Sequence, residues 1–559
     1  MNPPTPPLRV GLLLDSFSQP EWIVRIIDEI ASSDFARITL VVRNRGNPVP
    51  PPANFADKLR RYARGFLYSN YERWEMRRYR VERDPFTASD VESRLAGVPV
   101  LDILPRMTRF ADYFDDTDVE AILAHDLDVA LRFGFRILKG KSLLIARHGV
   151  WSYHHGDNLV NRGGPPGFWE VVERHPVTGS ILQILTEELD NGRAIARTWT
   201  ATHPTSVRMN RAQYYNASSS MAARKLRDLH RKGPAALEDP LGSAFRPYAQ
   251  RLYRQPNNVE MAGALARVGR QLLTRKVRQR TTHEQWQLAY KLKPEGRGTP
   301  DVPDASFYNY KPVIPPKDRF WADPFPVFRD GVYHVFLEEY IYERGRGHIS
   351  VQEFGPNGPV DEPRPVLVRE SHLSFPNVFP IGDDLYMLPE SLDVARVELL
   401  GCVNYPDRWE TAAVLLEDIA AADPIIAQRD GRWWLFLTAD GGTGVSWDEL
   451  MIYHADTPFG PWEPHALNPV KSDVRCSRSA GRLFHLDGRS YRPAQNGAPS
   501  YGSGITINEI MRIDAEHFEE REVSTIFPDW SADLTGIHTI NAAGRLSVVD
   551  LRRRLPRWR

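Results

Sequence analysis

A strand–turn–strand unit recurs through the second half of this chain and limits the folds open to it. The copies read DPFPVFRDGVYHVFLEE from Asp323, PNVFPIGDDLYMLPES from Pro376, DPIIAQRDGRWWLFLTA from Asp423, AGRLFHLDGRSYRPAQ from Ala480 and, more weakly, GIHTINAAGRLSVVDL from Gly536. Each joins an apolar strand to one rich in aromatic and β-branched residues through Asp-Gly or a near equivalent, which is a β-hairpin pattern. The turns recur about every fifty residues, the period of a propeller blade. Five copies predict an all-β five-bladed propeller over 283–555. The segment HEQWQLAYK from His283 is expected to supply an outer strand of the first or last blade.

Residues 8–205 follow a different rhythm. RVGLLLD and RITLVVR are short apolar runs, and PEWIVRIIDEIAS between them places apolar residues at helical spacing. Alternating strand and helix patterns predict an α/β, Rossmann-type domain with a mostly parallel sheet. Ligands of such sheets sit beyond the carboxyl ends of the strands, where the loop Trp151–Pro166 is expected. Residues 206–282 are polar and helical in pattern and are read as a helical connector.

Composition narrows the function. Lys plus Arg and Asp plus Glu both number 71, so no global charge argues for nucleic acid or an anionic membrane. The basic runs RKLRDLHRKG and TRKVRQR read as solvated helix faces. The two cysteines, Cys402 and Cys476, make neither a metal spacing nor a disulfide framework. No apolar run reaches the roughly 20 residues of a membrane helix, and a cytoplasmic location without an integral membrane segment is expected. His155 and Asp157 beside His154 form an HHGD run, but no second ligand set accompanies it, so no metal is expected.

From Gly149 the chain reads GVWSYHHGDNLVNRGGPPGFWEVVERHPVTGSILQILTEELDNGRAIAR. His154, Arg162-Gly163, Pro166, Thr178-Gly179 and Leu189-Asp190-Asn191-Gly192 follow in order and spacing the pattern of the folate-dependent formyltransferase family, which this stretch resembles. The resemblance implies transfer of a formyl group from 10-formyltetrahydrofolate to an amine. His154 would take the amine proton and Asp190 would orient and stabilise the imidazole. Asn158, Arg162 and Gly163 would line the substrate side. The position matching the family's Asn is Ser152, a donor on a shorter arm, and losing an oxyanion donor costs about 3 kcal/mol. Asn158 or Asn161 could substitute from the same loop. Formyl transfer with altered geometry, transfer from another acyl donor and a retained fold without activity all remain open.

The segments FWADPF, HLSFPNVFPIGDDLYMLPES, GPWEPHALNPVKSD, RSAGRLF and YRPAQ look like the propeller domain of glucosamine inositolphosphorylceramide transferases, and the first hairpin resembles arabinanase-like glycoside hydrolases. Both imply carbohydrate. Innermost propeller strands converge on the axis, so Asp323, Glu390 and Asp423 are expected in one funnel. Glycosidic cleavage needs such carboxyls, with Asp323 as base, Glu390 as acid and Asp423 as pKa modulator or sugar-hydroxyl acceptor. Arg478, Arg482 and Arg492 would pair with these acids or hold an anionic sugar. Asp-Pro before a strand is also plain turn chemistry.

The expectation is a carbohydrate-active enzyme of surface-glycan or glycolipid biosynthesis, with an amino-sugar nucleotide or a glycan as substrate. It would formylate an amino sugar beside a sugar-handling propeller. The alternatives are glycoside hydrolase or glycosyl transferase activity in the propeller with a non-catalytic first domain, and a non-enzymatic glycan-binding scaffold.

Overall fold

The computed structural model describes residues 6–46, 55–108, 110–187, 192–239, 242, 248, 251–296, 298–439 and 448–557. Two compact units divide the chain, Met1–Leu272 and Leu273–Arg559. Among the described residues no helix is long and apolar enough to cross a membrane.

The first unit is a seven-stranded sheet. The strands of that sheet and four of the unit's helices are, in chain order, β1 (Leu8–Leu14), α1 (Glu21–Ala31), β2 (Ala36–Asn44), β3 (Val100–Ile103), α2 (Asp116–Leu123), β4 (Val129–Arg132), β5 (Val150–His154), β6 (Val177–Ile184), β7 (Arg193–Ala201), α3 (Val207–Ser218) and α4 (Met221–Lys232). The spatial order is β7-β6-β5-β4-β1-β2-β3. The five strands from β5 to β3 pair in parallel, while β6 and β7 add an antiparallel edge. Successive residues of a strand face opposite sides. Leu12, Leu131, Trp151 and Tyr153 therefore join one core with α1 and α4, while Leu13, Ala130 and Val150 join another that includes Val119 and Ile122 of α2.

The connector expected at 206–282 differs from what forms. Leu226 and Leu229 of α4 recur at helical spacing and are buried in the first unit's core. Amphipathic helices next to an open sheet bury their apolar stripe rather than span solvent. The division falls later, within the long helix Asn258–Thr281.

The second unit is a five-bladed propeller of antiparallel sheets. Blades one to four start at Arg319, Ser374, Ala421 and Phe484 in strand order. The fifth closes the ring. Its strand Leu546–Pro556 pairs along its full length with Thr282–Leu292, which comes from the other end of the unit. The HEQWQLAYK segment is thus the third strand of the last blade, with Lys311–Val313 outside it. Three hairpins turn as their Asp-Gly pairs require. Asp330-Gly331, Asp430-Gly431 and Asp487-Gly488 all hold φ between 50° and 81°, the left-handed pair of a type I′ turn.

Candidate functional site

The inner strands of blades one, two and three share a break in register. The bulge lies between Ala322 and Phe325, between Ser374 and Asn377, and between Ala422 and Ile425. At its centre stand Asp323, Phe375 and Asp423, with φ of 49°, 48° and 46°, each followed by proline. Asp-Pro is therefore not a turn ahead of a strand. It is a bulge within one, and such bulges re-aim a side chain. Left-handed backbone at a non-glycine residue is held only where its surroundings determine it.

Acids on the second strands provide that hold. Asp550 Oδ2 accepts the Asp323 amide at 3.0 Å, and Glu390 Oε2 accepts the Asp423 amide at 2.9 Å. Glu338 has the register position of Glu390: it pairs with Ala322, just before the bulge, as Glu390 pairs with Ser374. The amide of Phe375, next in the series, instead goes to Asp323 Oδ2 at 3.3 Å. The Glu338 carboxyl makes no hydrogen bond among the described residues. His372 Nε2 stands 3.5 Å from its Oε1, and Glu338 is 6% exposed.

These groups surround a cavity of about 190 Å³, lined in part by Asp323, Glu338, Glu390, Arg478, Trp286 and Tyr501. Asp323 Oδ1 accepts from the Thr539 hydroxyl at 2.7 Å and lies 3.8 Å from His538 Nε2, while His538 Nδ1 is 2.6 Å from Asp550 Oδ2. Asp323, His538 and Asp550 bring ligand-type atoms within 4.8 Å of one another, a grouping the sequence reading did not foresee. Arg478 donates to both oxygens of Asp423 and, at 3.2 Å, to Glu390 Oε2. Its guanidinium also lies 5.2 Å from the Tyr501 ring centre. Trp286 stacks on His538 with ring centres 4.0 Å apart.

Burial sets the protonation of these acids. It pushes Asp423 up to about 7 against the opposing Arg478. It pushes Asp323 up to about 6, with His538 opposing and Asp423 adding. It carries Glu338 well above the carboxylate range, with Asp323, Glu390, Asp550 and Asp423 all adding. Burial would lower His538, but Asp550 and Asp323 outweigh it and leave the imidazole raised.

Asp323, Glu390, Asp423 and Arg478 thus meet at the axis, as expected. Glu390 Oε2 accepts from the Asp423 amide and from Arg478, and its carboxyl stands beside that of Asp423. Two of the expected partners of these acids lie elsewhere. Arg492 and Arg482 are not among the funnel's lining. Arg492 is fully buried against Glu520 and the carbonyls of Cys476 and Ser477. Arg482 donates to the Pro326 carbonyl and lines a separate cavity of about 610 Å³ with Phe328 and Phe379. Glu338, His538, Asp550, Trp286 and Tyr501 were missed. Glu338 is the first acid of the FLEE run, and His538 and Asp550 lie in the weakest hairpin, so the residues were in view without a local signal of their convergence.

In the first unit Ser152 and His154 share a face at the carboxyl end of β5, as alternation requires. Ser152 Oγ is taken by the Arg132 guanidinium, with Nε at 3.1 Å and Nη2 at 2.9 Å. His154 Nε2 is 3.1 Å from the Asn161 carbonyl. Asn158 Oδ1 accepts from Arg197, Arg162 donates to the Asn158 carbonyl, and Gly163 holds φ of 101°, where a Cβ would come 2.1 Å from the Tyr253 carbonyl oxygen. Asp190 lies outside the described residues. His155 stacks 3.6 Å from Tyr215 in an aromatic cluster, so the HHGD run does not converge. Glu170 is buried beside Asn161, and burial pushes its carboxyl up to about 7 against the opposing Glu170 amide and Asn161 side chain.

Fold and site together define a five-bladed propeller with an acidic axial cavity, in a chain that also holds an α/β unit. Residues 314–542 match the family described as glucosamine inositolphosphorylceramide transferase 1, N-terminal. Glucosamine inositolphosphorylceramide transferase 1 of Arabidopsis thaliana is 32% identical over 209 residues, 37% of this chain and 27% of the relative. Non-reducing end alpha-L-arabinofuranosidase BoGH43B of Bacteroides ovatus is 27% identical over 154 residues, 27% of this chain and 28% of the relative. The chain thus spans little more than a quarter of the length of these curated relatives. Among solved structures, the family 117 glycoside hydrolase Zg3597 of Zobellia galactanivorans aligns with a TM-score of 0.32 at 13% identity, over 48% of this chain and 90% of its own. Glycinamide ribonucleotide transformylase 1 of Symbiobacterium toebii aligns with a TM-score of 0.25 at 16% identity, over 42% of this chain and 86% of its own.

Proposed function

We propose that this chain is a carbohydrate-active protein of glycan or glycolipid assembly whose propeller funnel binds one sugar residue. The observation that carries this reading is the cavity of about 190 Å³ with acids and aromatic faces converging on the axis, in the region that matches a sugar-transferase family. Carboxyls accept from sugar hydroxyls, and Trp286 and Tyr501 supply apolar surface. The cavity is smaller than typical drug-sized pockets of roughly 300–1,000 Å³, which favours a single residue over an oligosaccharide.

Cleavage of a glycosidic bond is less well served. It needs a proton donor opposite a base. Arg478 holds Glu390 and Asp423, so of the lining carboxyls only Asp323 and the buried, proton-retaining Glu338 are left to serve as base and acid. Incubating the full chain with a glycan panel separates the readings. Saturable sugar binding without release, weakened in Asp323→Asn, supports a binding funnel. Sugar release that Asp323→Asn abolishes would instead make it a hydrolase.

His154 at the carboxyl end of β5 favours a second activity, formyl transfer to an amino sugar in the first unit. When bound, 10-formyltetrahydrofolate supplies the formyl group. His154 would take the amine proton with Asp190 stabilising it. Assay with amino-sugar nucleotides and formyltetrahydrofolate tests this. Turnover that survives His154→Ala would remove His154 from the chemistry.

A further inference from the structure

We propose that the funnel selects a sugar residue bearing a free amine, seating the ammonium against Glu338 and Asp323. The inference rests on the sugar-binding reading and adds the chemical class of the ligand.

The argument is one of uncompensated charge. Asp323, Glu338 and Glu390 line the cavity, and Asp423 and Asp550 stand behind them. The cations available are Arg478 and His538. Arg478 is committed to Asp423 and Glu390, and His538 to Asp550. His372 faces Glu338, but burial lowers its pKa, so it arrives as a neutral ring, and its Nδ1 already accepts the Gly347 amide. Five carboxyls thus meet two cations, both in use, and without a ligand the burial of Glu338 among the other acids keeps its proton on. An anionic sugar or a phosphate would add repulsion, and a hydroxyl would bring no counter-charge. An ammonium would take the place of that proton.

Glu338 marks the seat. Its register equivalent Glu390 is occupied by the Asp423 amide and Arg478, and Asp550 by the Asp323 amide and His538. In blade one the Phe375 amide is taken by Asp323, so the Glu338 carboxyl is left without a hydrogen bond at the wall of the cavity. A buried carboxyl without a donor is costly, and a buried carboxylate becomes stable when a cation pairs with it. The aromatic faces of Trp286 and Tyr501 would cover the ring while the amine is held. Acylation of that amine would remove the charge and with it the recognition.

Calorimetric titration of the full chain with methyl glycosides of 2-amino, 2-hydroxy and 2-N-acetyl hexoses, in gluco, galacto and manno forms, tests this. The amino form of one configuration is expected to bind about tenfold or more tightly than its hydroxyl and N-acetyl counterparts, a difference of about 1.4 kcal/mol. Glu338→Gln should erase the preference while keeping the weaker hydroxyl-sugar binding, and Glu338→Asp should keep part of it. Residual sugar binding by Glu338→Gln reports that the variant is folded. Equal binding of all three substituents overturns the amine inference and leaves the sugar reading standing. Binding of none of the sugars overturns the sugar reading itself.

Discussion

Replacing Arg478 by methionine removes the one guanidinium among the funnel's lining residues. Its donors reach Asp423 twice and Glu390 once, and its plane lies by Tyr501. Methionine fills much of the volume but leaves two buried carboxyls without their counter-charge. Breaking a buried pair in this way costs about 3–5 kcal/mol, about a fifth or more of the stability of a typical domain. The propeller's melting temperature should fall by about 10 °C, followed by hydrogen exchange in its blades because a two-unit chain need not unfold in one step. The loss depends on pH. At pH 5 Asp423, whose pKa lies near 7, is largely protonated in the parent, so only Glu390 loses a partner. At pH 8 both carboxylates do, and the deficit should be larger. Adding Asp423→Asn to Arg478→Met should restore part of the loss, giving a coupling of about 1–3 kcal/mol. A deficit under about 0.5 kcal/mol at pH 8, or strictly additive effects, would refute the account of Arg478 as the charge that makes the axis tolerable.

The raised acids set a slope for stability. Asp323 and Asp423 have folded pKa values of about 6 and about 7, above the ordinary Asp value, so their contribution is fully present below about pH 4 and is lost as pH rises through 6 and 7. The raised His538 acts in the same direction. Melts of the propeller between pH 5 and 8 should therefore decline with pH, and Asp423→Asn should flatten the decline. At the blade-three hairpin, Gly431 holds φ of 77° with open space where a Cβ would stand, so Gly431→Ala should cost about 1–2 kcal/mol from backbone strain alone in chemical denaturation.

The blades were legible because their determinants are local. An Asp-Gly pair with alternating apolar residues on both sides specifies a hairpin within about a dozen residues. Blade count followed from repetition. The axis depends on long-range closure. Trp286 and His538 stack although 252 positions separate them in sequence, because Thr282–Leu292 inserts beside Leu546–Pro556. No periodicity reports that pairing. The left-handed bulge that aims Asp323 and Asp423 was equally hidden, since Asp-Pro reads locally as a turn. Glu338 carries no local signal within its strand, and only its register against Ala322 shows it to be an axial residue. In the first unit β1, α1 and β2 were visible from apolar spacing. The docking of α4 onto the sheet was not, because its polar residues dominate the pattern and its buried stripe is narrow.

A propeller could satisfy its axis with apolar residues at lower cost. This one concentrates five carboxyls there and offsets them with two cations. Three of the acids act in the fold by capping strained amides, and Arg478 and His538 pair with two of them, Glu390 and Asp550. Asp323 caps the Phe375 amide and keeps one face toward the cavity. Glu338 has no such duty. Strain that packing does not use is expected where a ligand uses it, because sites for function are drawn from residues that cost stability. A bound cation would relieve that cost, so the ligand should raise the propeller's stability by more than its contacts with neutral groups alone would supply. Glu338 is then best understood as an acid held in reserve within a structure whose other axial charges are already paired.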